Sequence, residues 1–216
     1  MRLGTSIAAV LLGICVAAPA AAQSSSGANG FVRVGLARVR LADKGKIFLN
    51  GTLAAGAGYQ TPEKWVPAVE AGYFILPNFA LQVAATAPTS TSNTPAGTLA
   101  GVPNLGSDRF SIFTATATFH PLRGGMLSPY VGGGVALQKV WSTRDALATN
   151  LTVHDASGPV IQGGLEVRLA DRFGVFFDAK KAFYKADASG DLGPSHVTAV
   201  AKLDPLLLQA GATFRF

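Results

Sequence analysis

The last eleven residues, LLLQAGATFRF, leave little choice of fold. Leu206, Leu208, Ala210, Ala212, Phe214 and Phe216 take alternate positions, with Leu207, Gln209, Gly211, Thr213 and Arg215 between them. Successive side chains of a strand point to opposite faces, so one face is wholly apolar and ends in two aromatics while the other turns polar and basic. As the edge of a soluble sheet such a strand would pair with other chains. In a closed membrane barrel it has no free edge, and its apolar face meets lipid. The strand therefore predicts a cylinder, and seven more strands should be found upstream.

They are found at 31–41, 65–75, 79–88, 110–120, 129–140, 158–169 and 173–184, with the closing strand drawn over 197–216. Each is close to the ~9–11 residues of a tilted membrane strand. The chain is 49% hydrophobic and only 14% charged, yet no run after residue 22 approaches the ~18 apolar residues of a spanning helix. The connections alternate. Those at 42–64, 89–109, 141–157 and 185–196 are long and rich in Gly, Ser, Thr, Asn and Asp; those at 76–78, 121–128 and 170–172 are short. Long outer loops, short periplasmic turns and an even strand count describe an all-β, eight-stranded antiparallel up-and-down transmembrane barrel of the Gram-negative outer membrane.

Residues 1–22 read as a cleaved secretory signal, with Arg2 at its basic start, an apolar run from Ile7 to Ala18 and Ala20-Ala21-Ala22 before Gln23. The mature barrel is then 23–216, and the lone Cys15 leaves with the signal. The net charge of +6 comes from scattered residues (Arg33, Arg38, Arg40, Lys44, Lys46, Lys180, Lys181, Lys185) with no nucleic-acid motif among them. These charges read as interfacial and loop groups near anionic headgroups, and no nucleic acid partner is expected.

The pleat assigns faces. Glu70, Gln82, Glu166, Arg168, Asp178, Lys180 and Gln209 fall on inner positions and form a polar plug in the lower lumen, carboxylates facing Lys180 and Arg168. Above them Val66, Ala68, Ala84, Val140, Val160, Ala182 and Tyr184 make an apolar cup. A greasy cup over a charged floor has no aqueous exit below, so a ligand entering from outside has to leave through the wall. Asp204-Pro205, where Pro205 cannot donate a ladder hydrogen bond, is the expected lateral opening. Two further breaks in phase stand out. Val32, Val34 and Leu36 share one face and Val39 and Leu41 the other, which asks for a bulge near Ala37-Arg38 or an exit from the membrane there. Lys181 lies on the lipid face and has to snorkel.

Chemistry is sparse. His154-Asp155 with Ser157 is the nearest thing to a triad, and groups so close in sequence seldom converge on one reacting atom. His120 and His196 read as solvated residues at strand ends. Gly132-Gly133-Gly134 lacks the following helix and Lys of a phosphate loop and reads as inner-wall space. No catalytic residue, metal or cofactor is expected.

The stretches VRVGLARV (32–39), NFALQVAATAP (78–88), SPYVGGGVAL (128–137), GPVIQGGLEVRL (158–169), FFDAKKAFYKADA (176–188) and KLDPLLLQAGATFRF (202–216) run in order along the chain. Together they resemble the OmpW family of eight-stranded outer-membrane barrels, its AlkL-like hydrocarbon importers included. Leu-Asp-Pro before the closing strand and the final Arg-Phe carry the resemblance best. Gly106-Ser107-Asp108-Arg109-Phe110 departs from the family's Leu-Pro-Pro-Thr start to the fourth strand. The resemblance implies passage of small hydrophobic molecules into or across the outer membrane, with outer-membrane lipids, lipopolysaccharide and, through the C-terminal strand, the barrel-assembly machinery as partners. The alternative it implies is a structural or receptor barrel that docks colicins or phage through its outer loops; a lipid-modifying enzyme is the remotest reading.

Overall fold

The computed structural model describes residues 29–216 apart from 43, 55, 93, 98–105 and 147–148. The expected leader, with Cys15 and the expected start at Gln23, falls outside the described residues. Eight strands build the wall: β1 (Gly30–Arg40), β2 (Lys64–Leu76), β3 (Phe79–Thr86), β4 (Gly106–Phe119), β5 (Leu127–Asp145), β6 (Ala156–Arg168), β7 (Phe173–Ala182) and β8 (Leu206–Arg215). Each pairs antiparallel with the next, and β8 returns to β1 in one unbroken register from Phe31↔Arg215 to Arg40↔Leu206. The cylinder is closed, which removes the sheet edge that an apolar strand cannot leave exposed.

Alternation sorts the side chains as the pleat demands. Val34, Leu36, Val69, Leu81, Val83, Val131, Val135, Ile161, Phe177 and Leu208 are exposed on the outside. Below them runs a girdle of Tyr73, Phe79, Phe119, Phe173 and Phe214, in which Phe79 meets Phe119 and Phe173 meets Phe214 at ring separations of 5.0 and 5.1 Å. Trp65, Trp141 and Phe183 are exposed near the other rim. An apolar band between aromatic belts is the outer surface of a membrane barrel.

Several sequence expectations need correction. β1 has no bulge: its register against both neighbours is continuous, so Arg38 and Arg40 face outward above Leu36 while Val39 turns inward. The strand simply leaves the apolar band there. The closing strand does not run from 197. Ser195–Lys202 is a separate strand, and the chain bends at 203–205, where Asp204 adopts φ 31°. The long connections are not irregular loops. Lys44–Leu49, Thr149–Val153, Lys185–Leu192 and Ser195–Lys202 join Thr52–Leu53 in a five-stranded sheet above the barrel. β4 and β5 also continue past the expected strands, paired as far as Asp145↔Gly106.

Candidate functional site

The lower lumen is filled by a neutral knot of three cations and three carboxylates, assembled from six strands. β1 delivers Arg33, fully buried, whose Nη1 donates to Glu70 Oε1 on β2 at 2.7 Å and whose Nη2 donates to Glu166 Oε2 on β6 at 2.9 Å. Its guanidinium stands 4.5, 4.6 and 5.2 Å from the ring centres of Phe31, Tyr130 and Phe176, which supply packing and cation–π attraction to this buried charge. Lys180 Nζ on β7 donates to Glu70 Oε2 and to Asp178 Oδ1, both at 2.7 Å. Arg215 Nε on β8 donates to Glu166 Oε1 at 2.6 Å, so both oxygens of Glu166 are taken. β5 completes the knot through Tyr130, whose hydroxyl donates to Asp178 Oδ2 at 2.8 Å and accepts from Arg33 at 3.1 Å.

A chain of neutral groups extends it across the barrel. Gln162 Nε2 donates to Asp178 Oδ2 at 2.7 Å and to Gln82 Oε1 at 3.1 Å, and Gln82 Nε2 donates to Thr118 Oγ1 at 2.7 Å. Thr118 meets His120 Nε2 at 3.0 Å, and the His120 ring stacks on Tyr130 with centroids 4.9 Å apart. Buried charges are tolerated only when paired and hydrogen-bonded. Here each is, and together they fill the lower lumen.

The plug thus contains the expected Glu70, Gln82, Glu166, Asp178 and Lys180, while Gln209 is buried on the inner face of β8 with its Nε2 unpartnered. Arg168 is a correction. With Glu166 already occupied, it turns to the periplasmic turn and donates to the carbonyl of Arg123 at 2.9 Å. Arg33, Tyr130, His120 and Arg215 were not expected there. Arg33 is no loop charge and His120 no solvated strand end; both are fully buried. Their inward parity on β1 and at the end of β4 was the available signal. The belt reaches down to Arg215, the penultimate residue.

Above the knot the inner face is largely apolar, with Thr86, Thr114 and Gln138 buried among the apolar side chains. Ala37, Val39, Val66, Ala68, Phe110, Ile112 and Leu207 pack as one cluster with Val140 against it, and Ala136, Ala156, Val160, Ala182, Tyr184, Ala186 and Leu203 as another; Leu41 touches both. Of the cup residues, Val66, Ala68 and Val140 belong to the first cluster, Val160, Ala182 and Tyr184 to the second, and Ala84 is partly buried on the inner face of β3. Parity alone could have added Phe110, Ile112 and Leu207.

The wall has two interruptions at prolines. The β7–β8 ladder stops at Lys181↔Leu206, and outer-sheet pairing begins at Lys185↔Lys202. Between them the Asp204 side chain replaces a ladder acceptor, taking the Tyr184 N–H at 3.1 Å, and Pro205 O takes the Ala182 N–H at 3.0 Å. Lys181 is only half-exposed because its ammonium donates to the Asp204 carbonyl. Outside this point lies an open cleft of about 260 Å³ lined by Ile161, Gln162, Gly163, Ala179, Lys181 and Leu206. The second interruption is at Pro88, unforeseen in the sequence. Pairing of β3 with β4 ends at Ala85↔Phe113 and resumes at Thr89↔Phe110, with Thr86 Oγ1 taking the Ile112 N–H at 2.9 Å.

The His154-Asp155-Ser157 stretch lies at the outer end of β6, with Ser157 already in the wall opposite Leu137. Asp155 Oδ2 accepts from Lys139 Nζ at 2.6 Å and Oδ1 from the Val140 N–H at 2.8 Å. Partial burial raises its pKa, but these two bonds offset that and hold the carboxyl below the usual range. It stays ionised at neutral pH with its oxygens committed to β5, and that contribution to stability is lost as pH falls through the lowered value.

A closed eight-stranded cylinder, aromatic-girdled outside and charge-packed inside, is an outer-membrane β-barrel. This chain belongs to the OmpW family, which it matches over residues 27–216. It is 28% identical over 193 residues to the dibenzothiophene metabolism operon protein PahQ of Pseudomonas aeruginosa, covering 89% of this chain and 90% of PahQ. Its fold is similar to the crystal structure of OprG from Pseudomonas aeruginosa (TM-score 0.82, 18% identity, 90% of this chain and 98% of OprG). It is also similar to the structure of AlkL in DMPC lipid bilayers (TM-score 0.70, 20% identity, 92% of this chain and 94% of AlkL). At such identities the structures speak for the fold alone.

Proposed function

We propose that this barrel takes small hydrophobic molecules from outside into its apolar upper lumen and releases them sideways through the wall at Asp204-Pro205. The observation that carries the reading is the charged knot low in the lumen: the buried, paired charges of Arg33, Lys180, Arg215, Glu70, Glu166 and Asp178 make the downward route a costly one for an apolar ligand. The apolar cluster that holds Val160 also contains Ala182, Tyr184 and Leu203, which flank the β7–β8 interruption, so cup and wall break are continuous. An association of PahQ with dibenzothiophene metabolism, an apolar aromatic, is in keeping with this cargo. The side chains now packed in the cup would have to part, and Ala and Val move at less cost than a knot of charges.

Uptake of a hydrophobic probe into proteoliposomes or cells tests it. Pro205→Val, able to donate the missing hydrogen bond, is expected to lower uptake about tenfold, the effect of one net hydrogen bond holding the gate shut. Pro88→Val in parallel assigns the gate. Normal uptake in Pro205→Val with loss in Pro88→Val would move the exit to the β3–β4 interruption; normal uptake in both would end the lateral route. Replacing Asp178 by Asn should cost stability more than transport.

A second reading rests on the five-stranded outer sheet, an ordered surface fit for receptor contact. Deleting 89–109 or 141–157 while scoring uptake and phage or colicin sensitivity separately distinguishes it from the conduit. His154→Ala should leave phospholipid and lipid A composition unchanged; an altered composition would favour an enzyme.

A further inference from the structure

Thr86, Thr114 and Gln138 interrupt the apolar cup. The first has a structural task, its Oγ1 taking the Ile112 N–H at 2.9 Å where the β3–β4 ladder breaks. The other two do not serve the ladder. Thr114 sits opposite Ala84 on β3 and Ala136 on β5, and its hydroxyl meets no partner among the described residues. Gln138, two residues beyond Ala136 on the same face of β5, accepts at Oε1 from the Tyr184 hydroxyl. Their separation is 3.3 Å, long beside the ~2.7–2.8 Å of a good O–H···O bond, so a third group can enter between them at small cost. Thr114, Gln138 and Tyr184 are 6%, 2% and 5% exposed. The strand partners of Thr114 and Gln138 are Ala84, Ala136, Ala156 and Ile112, mostly short side chains that leave the polar atoms unscreened within the cup.

Packing alone does not ask for these groups, since valine at 114 and leucine at 138 would fill the same space with no polar atom to bury. Small-molecule sites are mostly apolar, with a few convergent polar groups that fix one end of the ligand. A threonine hydroxyl, an amide and a phenol each donate and accept, as an alcohol does. All three are uncharged. Lys180, one inward step below Ala182 on β7, is committed to Glu70 and Asp178, so an ionised head would be buried without a counter-ion. We infer that Thr114, Gln138 and Tyr184 bind the head of the cargo, and that the barrel selects an apolar molecule carrying one hydroxyl, an aliphatic alcohol or a phenol, over the hydrocarbon of the same shape. This rests on the conduit reading and names its cargo. A hydrocarbon that parts Tyr184 from Gln138 leaves the amide unpaired, whereas a hydroxyl replaces the lost bond. Tyr184 also joins the subsite to the exit, because its N–H is the one held by the Asp204 carboxylate at 3.1 Å. The residue that meets the cargo through its side chain flanks the wall break through its backbone.

Equilibrium binding to the full barrel in lipid nanodiscs tests this, with 2-naphthol and naphthalene as probes and empty nanodiscs subtracted. The two share a ring system and differ by one hydroxyl. Once each is corrected for its partition into lipid, the unaltered barrel is expected to bind 2-naphthol at least about tenfold more tightly, the effect of one buried hydrogen-bonding group left unpaired. Thr114→Val with Gln138→Leu should bring that ratio down to about one, and Tyr184→Phe should lower it. Ser111→Ala should keep it, since that buried hydroxyl of β4 accepts from Trp141 Nε1 instead. Heat-modifiable gel migration verifies folding, and should a variant fail to fold, the two-probe comparison on the unaltered barrel decides. Equal affinities in the unaltered barrel, or the full preference surviving in the folded double variant, overturns the head subsite and leaves the conduit standing. Absence of saturable binding of either probe overturns the conduit as well.

Discussion

Arg33→Met is expected to lower the stability of the folded barrel by about 3–5 kcal/mol, the cost of breaking a buried ion pair from one side. Among the described residues Arg33 alone of the cations touches both Glu70 and Glu166, and it also fills the space among Phe31, Tyr130 and Phe176. Methionine replaces the packing and leaves the charges. Lys180 still holds Glu70 and Arg215 still holds Glu166, but the knot passes from neutral to a net negative charge inside a low-dielectric lumen. Urea titration of barrel folded in lipid vesicles, read by gel migration, measures the loss. A double-mutant cycle with Glu166→Gln isolates the pair: the two substitutions together should cost clearly less than the sum of the singles, since the second removes the charge that the first stranded. Strictly additive losses would show that the pair is not coupled and that the aromatic packing of Arg33 is what matters.

Local alternation explains what was legible in the sequence. A strand with lipid on one side and a packed lumen on the other carries its two faces in its parity, so Glu70 and Asp178 marked the inside and Val83 and Phe177 the outside without any knowledge of partners. Asp204-Pro205 was legible for the same reason, a proline and a change of phase at one place. Partner choice was not. Arg33 shares its strand with Arg38 and Arg40, and composition alone groups the three, although the pleat sends Arg33 to the lumen and the others to the lipid rim. Arg168 had the right parity for the plug, but whether Glu166 is free to accept it depends on Arg33 and Arg215, residues far away in the chain. The outer sheet was hidden more deeply. Lys44–Leu49 pairs with Ser195–Lys202 across most of the sequence, and Gly- and Ser-rich segments whose pairing is supplied by such distant strands read locally as loop.

Gly211→Val is expected to prevent the barrel from closing. Gly35 and Gly211 face each other across the β1–β8 seam, and both sit on the inner face at the level of the knot. A Cβ on Gly211 would stand 2.0 Å from the Val34 carbonyl oxygen and 2.6 Å from the Gly35 Cα, and one on Gly35 would stand 2.1 Å from the Ala210 carbonyl oxygen. The obstacles are backbone atoms of the partner strand, which cannot turn aside as a flexible side chain would. They are also held on both edges, because β8 pairs with β7 as well as β1. Accommodating a branched side chain would push β1 and β8 apart at the one seam that converts a sheet into a cylinder, undoing several ladder bonds and the neighbouring Arg33–Glu70 contact together. Overpacking of a well-ordered interior typically costs about 1–3 kcal/mol, and here the lost pairing adds to it. Gel migration should show only the unfolded form for Gly211→Val and a mixture for Gly211→Ala. Gly163→Ala is the control, since its nearest atom would be the Tyr130 carbonyl oxygen at 3.9 Å, an ordinary contact. If Gly211→Val folds as well as Gly163→Ala, the seam is looser than its register implies, and closure does not depend on the glycine pair.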